Sequence, residues 1–322
     1  MTSKRCIGPF LRKKNMSRNN LMNNNFVILN NTLTHLWKDV NILKSSPAII
    51  ILILVIIGFS CISAYSISLD YNRETNDSEN QLTTEEIGRM QSESIFIYWS
   101  GTTSLLWPLA FGIIGALLIS QENEDDIIKY IFTYKTHTIA IYLSKLILLF
   151  VITGIIYIAI VILFQLIFFA VNGDIIEITS ILTAFLFPIT GLLIIGMIGL
   201  LMASAVKSRY SAIVVTLAFV FITYGLSGLA WSEGTNAFDH SSGGPYEFNI
   251  INTILYMINP MIIKEGMLDV LGLHNTEEVF FQDYYQVLDG MTRIIYIIIA
   301  LLLISSINII ILHYKRPVNY DQ

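Results

Sequence analysis

The sequence predicts an all-α, polytopic membrane protein with six transmembrane helices, an N-terminal interfacial helix and a helical last outer loop. Three observations predict it. The 322 residues are 54% hydrophobic and only 13% charged, about half the charge of an average soluble domain. Mean hydropathy is +0.64. Six stretches are long and apolar enough for the roughly 20 helical residues that a bilayer core of about 30 Å requires. A soluble chain could not cover its surface with so few charges, and disorder requires low hydrophobicity.

Residues 1–25 are basic and rich in Asn, with no acid before Asp39. They read as a disordered cytoplasmic tail touching anionic lipid. A signal peptide does not fit, because the first apolar span begins at residue 48 and is too long for an h-region. A transit peptide is an alternative, and Met16 and Met22 are plausible initiators. Over 26–47, Leu29, Leu33, Leu36, Trp37, Val40 and Leu43 recur at spacings of three and four. Thr34, Lys38, Asp39 and Asn41 fall largely between them. That period predicts an amphipathic helix on the inner leaflet; a soluble helix packed on a partner is the alternative.

The remainder, 48–322, is the transmembrane domain, with spans at 48–68, 95–120, 139–171, 178–206, 211–231 and 294–312. Lys145 is the one charge within these spans, near the start of the third. Pro108 and Pro188 fall mid-span and predict tolerated kinks. With the N-terminus inside, only Arg73, Arg89, Lys264 and Arg293 among the basic residues face outwards. The positive-inside rule therefore places both termini in the cytoplasm of a multi-pass protein of the cell membrane. Trp99 and Trp231 at outer edges, and Tyr130, Tyr134 and Tyr142 at an inner edge, fit aromatic belts. Cys6 and Cys61 lie too far apart in character, basic tail against apolar run, to form a disulfide framework.

The chain carries few signatures of chemistry. No Gly-rich loop ends in Gly-Lys-Ser/Thr, and no His-Glu-x-x-His occurs. Gly225-Leu226-Ser227-Gly228 resembles the nucleophile motif of rhomboid-type intramembrane proteases, but no histidine lies within a span to serve as base. Close helix approach explains these small residues better. Gln165, Tyr157, Tyr224 and Asn308 read as hydrogen bonders between helices. In the outer segment 233–290, Asp239, His240, Glu247 and His274 match no metal-ligand spacing. No catalytic, cofactor or metal site is expected, and no nucleic-acid partner.

The most informative segment is the inner loop 121–145. It opens Glu122-Asn123-Glu124-Asp125-Asp126, continues with apolar Ile127, Ile128, Ile131 and Phe132, turns at Tyr134–Thr138, and re-enters the membrane near Ile139. Acids at a helix N-terminus complement its dipole, so a short helix along the inner face is expected, able to dock into a partner. A solvated, capped loop is the alternative.

This loop resembles that of ABC-2-type ABC transporter permeases. The family pattern is Glu-x-Glu-x-Gly-Thr, paired leucines, Pro-x-Ser-Arg, then Gly-Lys opening the third span. Glu122 and Glu124 match the acids, Ile128, Ile131 and Phe132 the apolar positions, and Ser144-Lys145 the terminal pair. Asp126 and Ile127 stand in place of Gly-Thr, Lys135 of Pro and Thr138 of Arg. The turn at Ser204–Arg209, the Asn259-Pro260 element and the interfacial helix, the family's elbow, extend the resemblance over about 29–313. It implies a permease half that pairs with a second permease chain, alike or related, over a cytoplasmic ABC ATPase that alone binds ATP. Alternating access and a lean towards export are implied with it. Glu122, Glu124, Asp125, Ile128 and Lys145 would form the ATPase-coupling loop, with Leu36, Trp37 and Val40 on the elbow. The competing class is a non-transporting membrane scaffold or assembly component.

Overall fold

A computed structural model describes residues 27–41, 43–44, 46–77, 83–100, 106–124, 137–237, 271, 273 and 290–314. Among them all regular structure is helical. Helix α1 covers 27–41. It is followed by α2 (Pro47–Asp77), α3 (Thr84–Ser100), α4 (Leu106–Glu124), α5 (Thr138–Asn172), α6 (Ile178–Ala205), α7 (Arg209–Ala237) and α8 (Gly290–Tyr314). The N-terminal tail, the sequence 125–136 and most of the last outer segment lie outside the described residues. So do Asn259-Pro260 and the set Asp239, His240, Glu247 and His274.

Four stretches are long and apolar enough to cross a membrane: Pro47–Asn76, Thr138–Asn172, Pro188–Ala205 and Ile297–Tyr314. Two shorter apolar helices, Leu106–Ser120 and Arg209–Thr223, fall where the second and fifth spans are predicted. The second differs from expectation. Residues 95–100 belong to a separate helix, α3, whose start is a capping box: Thr83 N donates to Glu86 Oε2 (2.7 Å) and Glu86 N to Thr83 Oγ1 (3.3 Å). Pro108 is therefore not a mid-span kink. It lies in the first turn of α4, where its missing N–H leaves no bond unmade. Pro188 does sit inside a helix, α6. Helix α2 runs nine residues past the predicted span; its serines fold back on their own turn, Ser60 Oγ to Ile56 O and Ser68 Oγ to Ala64 O. Helix α5 stops at Gly173, whose φ of 71° is the left-handed cap conformation, its N–H bonding Phe169 O.

The chain alternates between two ends. At one, α1, the C-terminus of α4, the start of α5, the α6–α7 turn and the last turns of α8 converge. At the other, Asn72 Nδ2 reaches Val171 O and Gln91 Nε2 reaches Asp174. Trp99 is packed near this second end, edge-on to Trp107 with centroids 4.6 Å apart, and is 7% exposed. An aromatic core at the junction of α3 and α4 has taken it out of the expected belt. The side chain of Trp231 lies outside the described residues.

The central contact is α4 against α6, and it is backbone against backbone. A Cβ on Gly115 would strike the carbonyl of Gly196, and one on Gly199 the carbonyl of Gly112. Small residues permit such approach where no hydrophobic drive exists between helices in lipid. The Pro188–Ala205 stretch is accordingly 72% buried, against 17% for Ile297–Tyr314 at the edge. Polar side chains join the rest. Asn308 Nδ2 on α8 donates to Met197 O on α6 (3.4 Å), and Ser204 Oγ donates to Asn308 Oδ1 (3.4 Å). Tyr142 Oη on α5 meets Ser305 Oγ on α8 (3.0 Å). Tyr157 Oη and Gln165 Nε2 bond backbone carbonyls of Leu182 and Ile176. The Tyr224, Gly225 and Ser227 positions are helical, with side chains outside the description. Apolar side chains such as Leu54, Phe150, Ile155 and Leu302 point outwards, as a lipid-facing surface requires.

Candidate functional site

Helix α1 is amphipathic, but its faces are not those the spacing predicts. Leu36 and Val40 pack partly into the core. Trp37 is 68% exposed, and Leu29 and Leu33 are exposed beside it. Asp39, expected on a solvated face, is buried. The reason is a partner: Lys145 Nζ lies 2.6 Å from Asp39 Oδ1. Ser144 Oγ also donates to Asp39 Oδ2, at 3.0 Å.

Lys145 sits in the second turn of α5 and is itself 2% exposed. Its ammonium reaches a second carboxylate, Glu122 Oε1, at 2.9 Å. The same oxygen accepts from Lys38 Nζ of α1 at 2.6 Å. Two acids and two lysines thus form one formally neutral cluster joining α1, α4 and α5. Neutrality matters, because each unpaired ion taken from water costs several kcal/mol.

Glu122 differs from the expected surface acid at a helix start. It lies in the last turn of α4, where the dipole disfavours a carboxylate, and its side chain is 3% exposed. The two ammonium groups compensate both penalties. Burial pushes the Glu122 carboxyl up, but Lys145 and Lys38 outweigh it and hold it below the usual range. Asp39 goes the other way: burial, reinforced by the charge of Glu122, raises it further than Lys145 lowers it. His35, on the same helix, is held below its ordinary value by burial, then by Lys38. Glu122 Oε2 is buried with no hydrogen-bond partner among the described residues.

The structure therefore brings Glu122 and Lys145 together as an ion pair and adds Asp39 and Lys38 to it. Glu124 ends α4 with its side chain outside the description; Asp125 and Ile128 lie outside the described residues. Of the two missed residues, Asp39 had a signal. Lys145 is a lone charge in a long apolar span, and Asp39 is the first acid in the chain. A lone buried lysine demands a carboxylate. The cluster holds no nucleophile-and-base pair. What it can do is clamp: it ties α1 to both helices flanking the 125–136 segment.

No curated protein matches the chain. The family model described as ABC-2 family transporter protein matches residues 40–225, a stretch that begins in α1, one residue after Asp39, and contains Glu122 and Lys145. That is more than half of the chain, and with its apolar helices the protein belongs to the ABC-2 transporter family, the membrane permeases of ABC transporters.

Proposed function

We propose that the chain is the permease subunit of an ATP-driven exporter, with six spans, both termini cytoplasmic, a second permease chain beside it and a separate ABC ATPase below. The observation that carries this reading is the cluster of Lys38, Asp39, Glu122 and Lys145 at the root of 125–136. The family match and the basic residues gathered towards that end support it.

On this reading α1 is the elbow helix, lying in the inner leaflet with Trp37 in the interface. The 125–136 segment, with Asp125 and Ile128, and Glu124 just before it, docks into the ATPase. Glu122 does not dock; its carboxylate faces inwards. ATP-driven closure of the ATPases displaces the segment, and the ion cluster makes α1 and the ends of α4 and α5 follow as one body. That rigid-body motion rocks the two permease chains between inward and outward access. ATP stays on the partner.

The test is purification of the tagged chain from its native membrane in mild detergent, with mass spectrometry of what accompanies it. A stoichiometric ABC ATPase is expected. Other membrane subunits without an ATPase would overturn the reading in favour of a scaffold.

A further inference from the structure

A cleft opens beside the ion cluster, between the α1–α2 junction, α4 and the start of α7. Buried Asp39, Lys145 and Ser46 line it with Leu43, Ile49 and Leu117, and half-buried Arg209 is its most exposed cation. We propose that this cleft binds the phosphodiester of an anionic phospholipid.

Charge is the first argument. In the lining, Lys145 neutralises Asp39, and Lys38 completes the balance with Glu122. Arg209 is left over: it is half-buried and makes no ion pair among the described residues. Lys44 and Lys207 stand exposed on the two turns that the cleft brings together, also without ion pairs among the described residues. Among the described residues, Arg209 is a cation of the cleft lining with no carboxylate to neutralise it, and exposed Lys44 and Lys207 lie on the flanking turns.

Size places the anion. The enclosed volume is about 10 Å³, room for one water and not for a phosphate. The phosphate must sit at the mouth, against Arg209, with a water beneath it.

Depth and polarity choose lipid over a free anion. Trp37, Tyr210 and Tyr314 are exposed at this same end, and exposed aromatic rings at helix ends mark the headgroup level. Just beyond the mouth, Ile50 and Ile51 of α2 face outwards, a surface for an acyl chain. A guanidinium at headgroup depth with apolar surface below it matches a phospholipid's own order of groups.

The experiment uses the full chain in detergent micelles, titrated with dioleoylphosphatidylglycerol, dioleoylphosphatidylcholine or inorganic phosphate. The midpoint of thermal unfolding and lipid adducts in native mass spectra are read together. Phosphatidylglycerol is expected to raise the midpoint and remain as an adduct; the other two should do neither. Arg209→Gln should weaken the phosphatidylglycerol response about fivefold, Lys207→Gln less, and Arg73→Gln at the opposite end not at all. Equal responses to both lipids, an undiminished response in Arg209→Gln, or reproduction by phosphate alone would each overturn the proposal. So would a midpoint lowered equally in both lipids, which means that Arg209 pairs within the chain. Should Arg209→Gln fail to fold, the exposed double variant Lys44→Gln/Lys207→Gln decides: an undiminished response overturns the site.

Discussion

Asp39 and Lys145 are separated by 106 residues of chain and by 2.6 Å of space. This bond anchors α1, which otherwise turns Leu29, Leu33 and Trp37 outwards. Both partners are 2% exposed, so neither can be rescued by water if the other is lost.

Lys145→Ala is therefore expected to destabilise by about 3–5 kcal/mol, the cost of stranding a buried charge. Lys38→Ala should cost far less, because its side chain is 34% exposed and screened. The double variant Asp39→Leu/Lys145→Met should recover most of the loss. Thermal unfolding of the four proteins in detergent checks the order; equal losses for Lys38→Ala and Lys145→Ala would contradict it.

The α4–α6 contact makes a sharper demand. Gly199→Ala must push apart two backbones, and should abolish folding or lower stability by several kcal/mol. Gly154 in α5 has nothing within 4 Å of a Cβ. Gly154→Ala should be neutral or stabilising by about 0.5–1 kcal/mol through helix propensity. Yield of monodisperse protein and its unfolding midpoint separate the two.

Acidity should act through His35. Its folded pKa lies below the ordinary value, so near pH 6.5 the unfolded chain binds more protons than the folded one. Stability then falls as pH drops through about 6.5, and the decline ends below the folded pKa. Midpoints measured between pH 8 and pH 5.5 should slope for the native chain and flatten for His35→Gln. The two carboxylates act in opposite senses and in different windows, Asp39 taking its proton above its ordinary value of 3.8 and Glu122 below its ordinary value of 4.5. Protonating Glu122, whose folded pKa is lowered, removes stability, while protonating Asp39, whose folded pKa is raised, relieves a cost.

Glu122→Gln keeps the shape of the side chain and removes its charge. The chain should still insert in the membrane. ATP hydrolysis by the associated ATPase should lose its stimulation by the permease, because α1 no longer follows α4. Coupling at the native level in a folded Glu122→Gln complex would remove Glu122 from the transmission path.

Much of the fold was legible because lipid imposes one simple rule, a long uncharged run per crossing. The ends of α5 and α6 fall within a residue of expectation. The rule fails at 95–120, where apolar character continues across the end of α3 and start of α4, and composition cannot register a break that costs no polarity. The site was half legible. Glu122 and Lys145 were found by resemblance to a loop pattern, but periodicity put Lys38 and Asp39 on a solvated face. A helix lying in an interface can turn its charges inwards and its leucines to lipid, which inverts the usual amphipathic reading. Trp99 misleads similarly: its edge position suggests a belt, and only tertiary contacts reveal a core.

The glycine seam between α4 and α6 also bears on movement. Interlocked side chains can exchange rotamers and let helices slip past one another. Two backbones in contact have no such play, since an axial step of one residue, about 1.5 Å, would drive a side chain into a carbonyl. Helices α4 and α6 therefore behave as a single lever. On the proposed function, a displacement delivered at Glu122 would be carried by α4 and α6 together, and relative sliding would fall at other helix contacts.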